Sequence, residues 1–276
     1  MRSFDYNEYL GLTGIQSGDI IDVSSGIASL KKFAEDNDSS FDADTLIDEL
    51  VNIVGDKGTV MIRSFSWSFC RGVAFNVRET PSEVGALGTV ALKKKGFTRT
   101  QHPIYSWMVS GYYQKELCDI DTIDVFDEKG IFSFFEKYSA KQLLIGKMQT
   151  AAFTMGHYIE VKVGVPFRKQ KFFEADYCDL SGNLTHRRYS MFVKPLNVDV
   201  KYILSNYQLG QDDAMLSGIK KNFLFMDSLP ISTIELVRLA DFIRDDYLNN
   251  DGLSVVRING VPGIKDSGVD WSKALF

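Results

Sequence analysis

The sequence predicts an α/β fold with some parallel sheet and an elaborated C-terminal lobe containing a β-hairpin and helices. Three observations carry this. Strand, helix and strand patterns follow one another between residues 20 and 62. The period changes from helical to alternating between Phe172 and Val193. Helical spacing then returns in the last quarter of the chain.

The first strand is the apolar run Ile20-Ile21-Asp22-Val23, entered through the turn-like Ser17-Gly18-Asp19. Ala43, Leu46, Ile47, Leu50, Val51 and Val54 then recur at the offsets of one helix face. Gly55-Asp56-Lys57-Gly58 breaks that helix, and Thr59-Val60-Met61-Ile62 resumes as a strand, which makes a βαβ unit with some parallel sheet. A second helix is predicted from Thr80, with Pro81 at its first position and Glu83 completing a capping box. Val84, Leu87, Ala91 and Leu92 form its apolar stripe, Lys93, Lys94 and Lys95 its last turn, and Gly96 its stop. Strands follow near Tyr105–Ser110 and Gln142–Ile145, and then a helix containing His157. Ser181-Gly182-Asn183 separates two stretches rich in aromatic and β-branched residues and reads as a hairpin turn. Ser232-Thr233-Ile234-Glu235 reads as a further capping box, with Leu236, Leu239, Ala240 and Ile243 behind it. No linker or repeat divides the 276 residues, so one domain spanning 1–276 is expected.

Composition excludes several classes. The net charge is 31 − 36 = −5, so there is no protein-wide positive field for nucleic acid. No apolar run approaches 18 residues and the first ten lack the apolar core of a signal peptide; membrane insertion is not expected and the expected location is cytoplasmic. Cys70, Cys118 and Cys178 are widely spaced and give neither a metal or redox pair nor a disulfide framework. The patterns for zinc proteases, phosphate-binding loops, nucleophile elbows and dinucleotide sites are absent, and no metal is expected.

Three segments can carry chemistry. Thr154, His157 and Glu160 are spaced three apart, so on a helix they stack along one face. A carboxylate beside an imidazole fixes its tautomer, and a hydroxyl one turn away can donate to an oxyanion, which makes a general-base constellation. The same spacing also describes an ordinary surface pair. Arg99-Thr100-Gln101-His102-Pro103, behind Lys93–Lys95, either faces phosphates or is a solvated basic helix end with a structural histidine. Ser24-Ser25-Gly26 ends the first strand, where α/β sheets place ligands, though it also suits a plain turn.

Taken in order, these segments resemble the aminoglycoside 3-N-acetyltransferases, or antibiotic N-acetyltransferases, from about Gly11 to Arg168. Gly18-Asp19 with Val23-Ser24-Ser25 resembles the family's "GD…VHSS". Gly58-Thr59-Val60 with Ser64-Phe65-Ser66-Trp67 resembles "GT…PTFSW", and Phe75 with Thr80-Pro81-Ser82 and Gly85 resembles "F…TPS..G". Arg99-Thr100-Gln101-His102-Pro103 with Ser106 and Gly111 resembles "RS.HP..S..A.G". Leu144-Ile145-Gly146, Thr154, His157 and Glu160 resemble "LLG…T..H..E", and Val165-Pro166-Phe167-Arg168 resembles "VPYR".

The resemblance implies a mixed-sheet α/β/α sandwich and an acyl-CoA-dependent N-acyltransferase working by direct transfer, with acetyl-CoA or a longer acyl-CoA as co-substrate. It makes His157 the general base, Glu160 its orienting partner and Thr154 the donor to the thioester oxygen. It places Ser24, Ser25, Thr80 and Arg99 at CoA, with His102 at the family's H-P.

The sequence departs from the pattern at Val23, where a histidine often stands, and at Lys147-Met148. Between Phe167 and Lys201 seven basic residues face four acidic ones, a local excess of +3. That balance favours an anionic acceptor, so the expected reaction is acylation of a nucleotide-linked amino sugar for surface polysaccharides. Arg187 and Arg188 would then contact the diphosphate, or else form a solvated hairpin edge. Aminoglycoside acetylation is the alternative, and a non-catalytic binding relative of the family the third reading. Partners are small molecules, and a homodimer is left open.

Overall fold

The computed structural model describes residues 2–146, 154–203 and 218–276. Its first part supplies β1 (Arg2–Ser3), α1 (Tyr6–Gly11), β2 (Ile20–Ser25), α2 (Ile27–Asp36), β3 (Ser39–Ser40), α3 (Ala43–Val54) and β4 (Thr59–Arg63). Next come β5 (Phe75–Asn76), α4 (Ala86–Ala91), β6 (Thr98–Arg99), β7 (Trp107–Gly111), α5 (Gln114–Asp119), α6 (Ile131–Lys137), β8 (Lys141–Ile145) and α7 (Thr154–Val163). The last part holds β9 (Lys169–Cys178), β10 (Leu184–Val193), β11 (Val200–Tyr202), β12 (Lys220–Phe225), β13 (Leu229–Glu235), α8 (Leu236–Asn249), β14 (Val256–Ile258) and β15 (Val261–Pro262).

A seven-stranded sheet in the order β12-β13-β8-β2-β4-β7-β6 organises the molecule. Its centre, β8-β2-β4, is parallel, and antiparallel strands complete both edges. Alternation along each strand sends side chains to two cores. Ile21, Val23, Val60, Ile62, Leu143 and Ile145 pack with residues of α1–α4. Ile20, Met61, Trp107 and Leu144 pack with residues of α5–α8 on the other face. This is the α/β/α sandwich that the resemblance implies. The predicted helix over 43–54 forms as α3, where Asp42 accepts the Thr45 N–H at 2.9 Å and Leu46, Ile47, Leu50 and Val54 are buried. The 181–183 turn joins β9 and β10 as a ten-pair antiparallel hairpin.

Two predicted helix starts are corrected. Thr80 does not open a helix: its hydroxyl oxygen accepts the Asn76 N–H at 2.8 Å, and the Glu83 carboxylate accepts the Ser68 N–H at 2.9 Å. Both side chains are used by neighbouring turns, so the helix waits for Gly85 and spans only Ala86–Ala91. Gly88 also brings α4 against β4, since a Cβ there would lie 2.4 Å from the Arg63 carbonyl oxygen. Ser232-Thr233-Ile234-Glu235 belongs to β13, paired with β8, and α8 starts at Leu236. The capping-box spelling also reads as a β-branched strand, and the pairing of its backbone with β8 decides the outcome.

A buried ion pair lies within this largely apolar architecture. Asp22, in the middle of β2, is fully buried on the α7 side of the sheet. It accepts from Arg63 Nε at 2.9 Å and from Arg63 Nη2, from Trp107 Nε1 at 2.8 Å and from Gln142 Nε2 at 3.1 Å. A buried charge of this kind is tolerated only when paired and hydrogen-bonded. Asp22→Ala strands the Arg63 guanidinium without its counter-ion, and should lower stability by about 3–5 kcal/mol in urea unfolding. A loss below about 1 kcal/mol would contradict this account of the pair.

Candidate active site

Strand β8 runs to the C-terminal edge of the parallel core, and α7 lies beyond it. Thr154, His157 and Glu160 form one stripe of α7, as their spacing requires. Glu160 has no exposed surface, Thr154 is buried, and the His157 side chain keeps 19% exposure.

The carboxylate of Glu160 is held from three elements. Tyr247 of α8 donates its hydroxyl to Oε1 at 2.9 Å. His157 Nδ1 is 2.8 Å from Oε2, and Arg168 Nε is 3.0 Å from the same oxygen. A carboxylate only accepts, so Nδ1 carries the imidazole proton and Nε2 carries the basic lone pair. Arg168 Nη2 is 3.4 Å from Nε2, and Arg168 Nε also donates to the Tyr202 hydroxyl at 2.7 Å. The Tyr202 ring stands 5.4 Å from the imidazole.

The end of α7 explains how Arg168 returns to Glu160. Gly164 has φ +70°, and the N–H groups of Gly164 and Val165 both close on the Glu160 carbonyl, at 3.0 and 3.1 Å. A Cβ on Gly164 would meet nothing within 4 Å, so the left-handed backbone is what calls for glycine there. Pro166 prevents the helix from resuming. The chain reverses and carries Arg168 back over the stripe.

Burial pushes the His157 pKa below its ordinary value, the Arg168 cation pushes it further, and Glu160 opposes both. The imidazole is therefore neutral at neutral pH. Burial holds the Tyr202 and Tyr247 phenols well above their usual range, so both remain protonated.

The remaining candidates fall in distinct surroundings. Ser24 and Ser25 end β2 beside Leu144 and Ile145 of β8, at the edge from which α2 departs. Gly85 approaches them, since a Cβ there would lie 3.6 Å from the Ser25 carbonyl oxygen. Thr80 shapes the turn after β5, and its carbonyl accepts from Arg99. Arg99 itself, expected toward phosphates, is interior with 1% exposure. It donates to Ser106 Oγ at 3.0 Å and to the Thr80 and Ser64 carbonyls, and lies 4.6 Å from the centre of the Phe75 ring. His102 is buried, with Nδ1 accepting the Tyr105 N–H at 3.1 Å and its ring against Tyr189. Burial pushes its pKa down to about 3. Lys147 and Met148 lie outside the described residues.

Arg187 and Arg188 are neighbours on β10 and so face opposite sides of the hairpin. Arg187 pairs with Asp121 at 3.1 Å and covers the Tyr177 ring, while Arg188 stands 3.7 Å from Glu174 and covers Phe172. His186 meets Asp176 at 3.0 Å and Lys201 meets Asp199 at 2.9 Å. The two arginines expected at a diphosphate thus each stand against a carboxylate, Arg187 at Asp121 and Arg188 at Glu174 of the partner strand. Burial raises the Cys70 thiol to about 11 and the Cys118 thiol to about 12, which suits packing. Among the described residues no group of three or more His, Cys, Asp or Glu is arranged to hold a metal ion, and no helix is long and apolar enough to cross a membrane.

Sequence reasoning missed Asp22, Arg63, Tyr202 and Tyr247, and counted Arg168 only as a motif position and a charge. A usable signal existed for the first two: a carboxylate inside a buried strand demands a cation nearby.

The model of the aminoglycoside 3-N-acetyltransferase family matches residues 23–211. No curated protein matches the sequence. Among solved structures, the aminoglycoside acetyltransferase AAC(3)-Xa superposes with a TM-score of 0.69 at 18% identity, over 89% of this chain and 93% of that one. AAC-IIIb in its binary complex with CoASH gives 0.69 at 17%, over 89% and 95%. AAC-VIa bound to sisomicin gives 0.66 at 16%, over 90% and 98%. At these identities the likeness is one of fold.

Three charged or phenolic groups face the imidazole: Glu160 on its own helix, Arg168 before β9 and Tyr202 of β11. Arg168→Gln removes the cation while Glu160 stays, so the His157 pKa should rise and the acid limb of kcat/KM should move to higher pH. An acid limb that moves to lower pH would refute the assigned role of the guanidinium.

Proposed function

The chain belongs to the aminoglycoside 3-N-acetyltransferase family, and from that premise we propose that it acetylates an amine of an aminoglycoside-type polycation, with His157 as general base. Acetyl-CoA is the co-substrate of this family. The observation that carries the reading is the 2.8 Å contact between the buried Glu160 carboxylate and His157 Nδ1, which leaves Nε2 as the proton acceptor.

The chemistry follows from that geometry. An acceptor amine arrives mostly as an ammonium ion and must lose a proton before its nitrogen lone pair can attack. Nε2 takes that proton, exchanging its long contact with Arg168 for the ammonium N–H, and the Glu160 charge stabilises the imidazolium that forms. Thr154 directs its hydroxyl to the thioester oxygen as charge develops there. Attack leaves the nitrogen with one proton too many. Nε2, having passed the first proton to solvent, takes this second one and gives it to the departing sulfur as the C–S bond breaks, so the products are the amide, the thiol and one released proton.

Bound acetyl-CoA supplies the thioester. The residues that would hold it are Ser24, Ser25 and Thr80. The two small hydroxyl residues end the central strand, and Gly85 keeps the space over the Ser25 carbonyl narrow but open. Gly26 caps α2 with no side-chain hydrogen bond to the helix start. Arg99 and His102 support this edge from inside the fold.

The acceptor reading changes with the structure. The basic hairpin residues that suggested a nucleotide sugar are engaged with carboxylates. The segment 119–130 instead carries five acids against a single Lys129. Asp119, Asp121 and Glu128 meet Lys115, Arg187 and Lys162, and Asp124 and Asp127 flank Phe126. Phe126 within it stands edge-on to the His157 ring with centroids 6.5 Å apart. An acidic segment beside the base suits a polyamine.

Thiol release from acetyl-CoA should be fast with an aminoglycoside panel and far slower with nucleotide-linked amino sugars. Rapid turnover of a nucleotide sugar with aminoglycosides inert would overturn the acceptor. His157→Ala should cost about 10²–10⁴-fold in kcat, and a variant keeping more than half of the rate would remove His157 from the mechanism. No thiol release with any amine would favour a binding role.

A further inference from the structure

We propose that Arg63 is a positioning residue for the Thr154 hydroxyl, aiming its proton at the thioester oxygen. This rests on the reading of Thr154 as the oxyanion donor. A threonine hydroxyl has one proton and two lone pairs, and it can rotate to donate to whatever acceptor is nearest. Arg63 Nη1 is 3.2 Å from Thr154 Oγ1. A guanidinium has no acceptor, so this contact must use an oxygen lone pair, and the hydroxyl proton is turned away from Arg63. Donation into the oxygen also strengthens the hydroxyl as a donor in its turn.

What makes Arg63 a fixed reference is the buried pair beneath it. Asp22 takes the Nε and Nη2 edge of the guanidinium, which leaves Nη1 to face α7. Asp22 cannot swing, because Trp107 Nε1 of β7 and Gln142 Nε2 of β8 hold its two oxygens. Arg63 is only 7% exposed. The chain of contacts runs from the centre of the sheet through one carboxylate and one guanidinium to the hydroxyl that starts the catalytic stripe. An ion pair that served stability alone would need no donor directed at Thr154, and a well-packed apolar pair would serve the sheet as well.

The test is a double-mutant cycle in the full-length protein, read as kcat for acetyl-CoA with the best acceptor. Thr154→Val keeps the side chain's shape and should cost about 10²-fold. Asp22→Leu with Arg63→Met replaces the ion pair without leaving a buried charge, and should lower kcat about tenfold with the KM for acetyl-CoA little changed. In that background Thr154→Val should cost at least tenfold less than it does in the wild type. Losses that simply multiply would overturn the role of Arg63 and leave Thr154 as donor intact. A wild-type background in which Thr154→Val costs nothing would overturn both. Should the paired variant melt early, Arg63→Lys with Asp22 retained keeps the charge and removes the Nη1 edge, and the same cycle applies to it.

Discussion

A carboxylate with no access to water governs this active site. Glu160 can stay charged inside the protein only with donors and a counter-ion around it, and these come from three parts of the chain. The Tyr247 hydroxyl of α8 and His157 on its own helix donate to its oxygens, and the Arg168 guanidinium from the loop before β9 pairs with its charge. Satisfying Glu160 therefore docks α7 on α8, reverses the chain at Gly164 and fixes the imidazole tautomer, all at once. Through Arg168 it also draws in Tyr202 and so the small sheet of β11, β14 and β15. The imidazole is oriented by the same contacts that close the fold.

A second buried carboxylate, Asp22, plays the matching part inside the sheet. It stands on the α7 face of β2, and its partner Arg63 ends β4 and reaches Thr154. The catalytic helix is thus referenced twice, by Glu160 to the C-terminal elements and by Arg63 to the parallel core. Both references end at the C-terminal edge of the central strands, the edge at which α/β sheets commonly place ligands. Such networks are costly when half-satisfied, so neither member of either pair is replaceable alone.

The fold was largely legible because its elements advertise themselves locally. The run at 20–23, the helix stripe at 43–54 and the alternating hairpin strands need no distant information. The stripe of Thr154, His157 and Glu160 was legible for the same reason, since three residues at offsets of three stack on any helix. The failures are equally physical. Thr80 with Glu83 and Ser232 with Glu235 spell capping boxes, but the first pair is taken by turns at 66–76 and the second by pairing with β8. Local spelling cannot reveal a competing partner far along the chain. Arg187 and Arg188 looked like an anion site because a charge count does not show which carboxylates stand opposite. Tyr202 and Tyr247 were invisible, since their relation to Glu160 is entirely tertiary.

The central claim is that Glu160 and its neighbours hold His157 neutral, protonated on Nδ1 and basic at Nε2. The direct measurement is a nitrogen NMR titration of ring-labelled histidine, with His157→Asn assigning the resonance among the three present. The account predicts an Nδ1–H tautomer at neutral pH and a titration midpoint below the ordinary histidine value of about 6.5. A proton on Nε2 in the neutral ring, or a midpoint above that value, would contradict it.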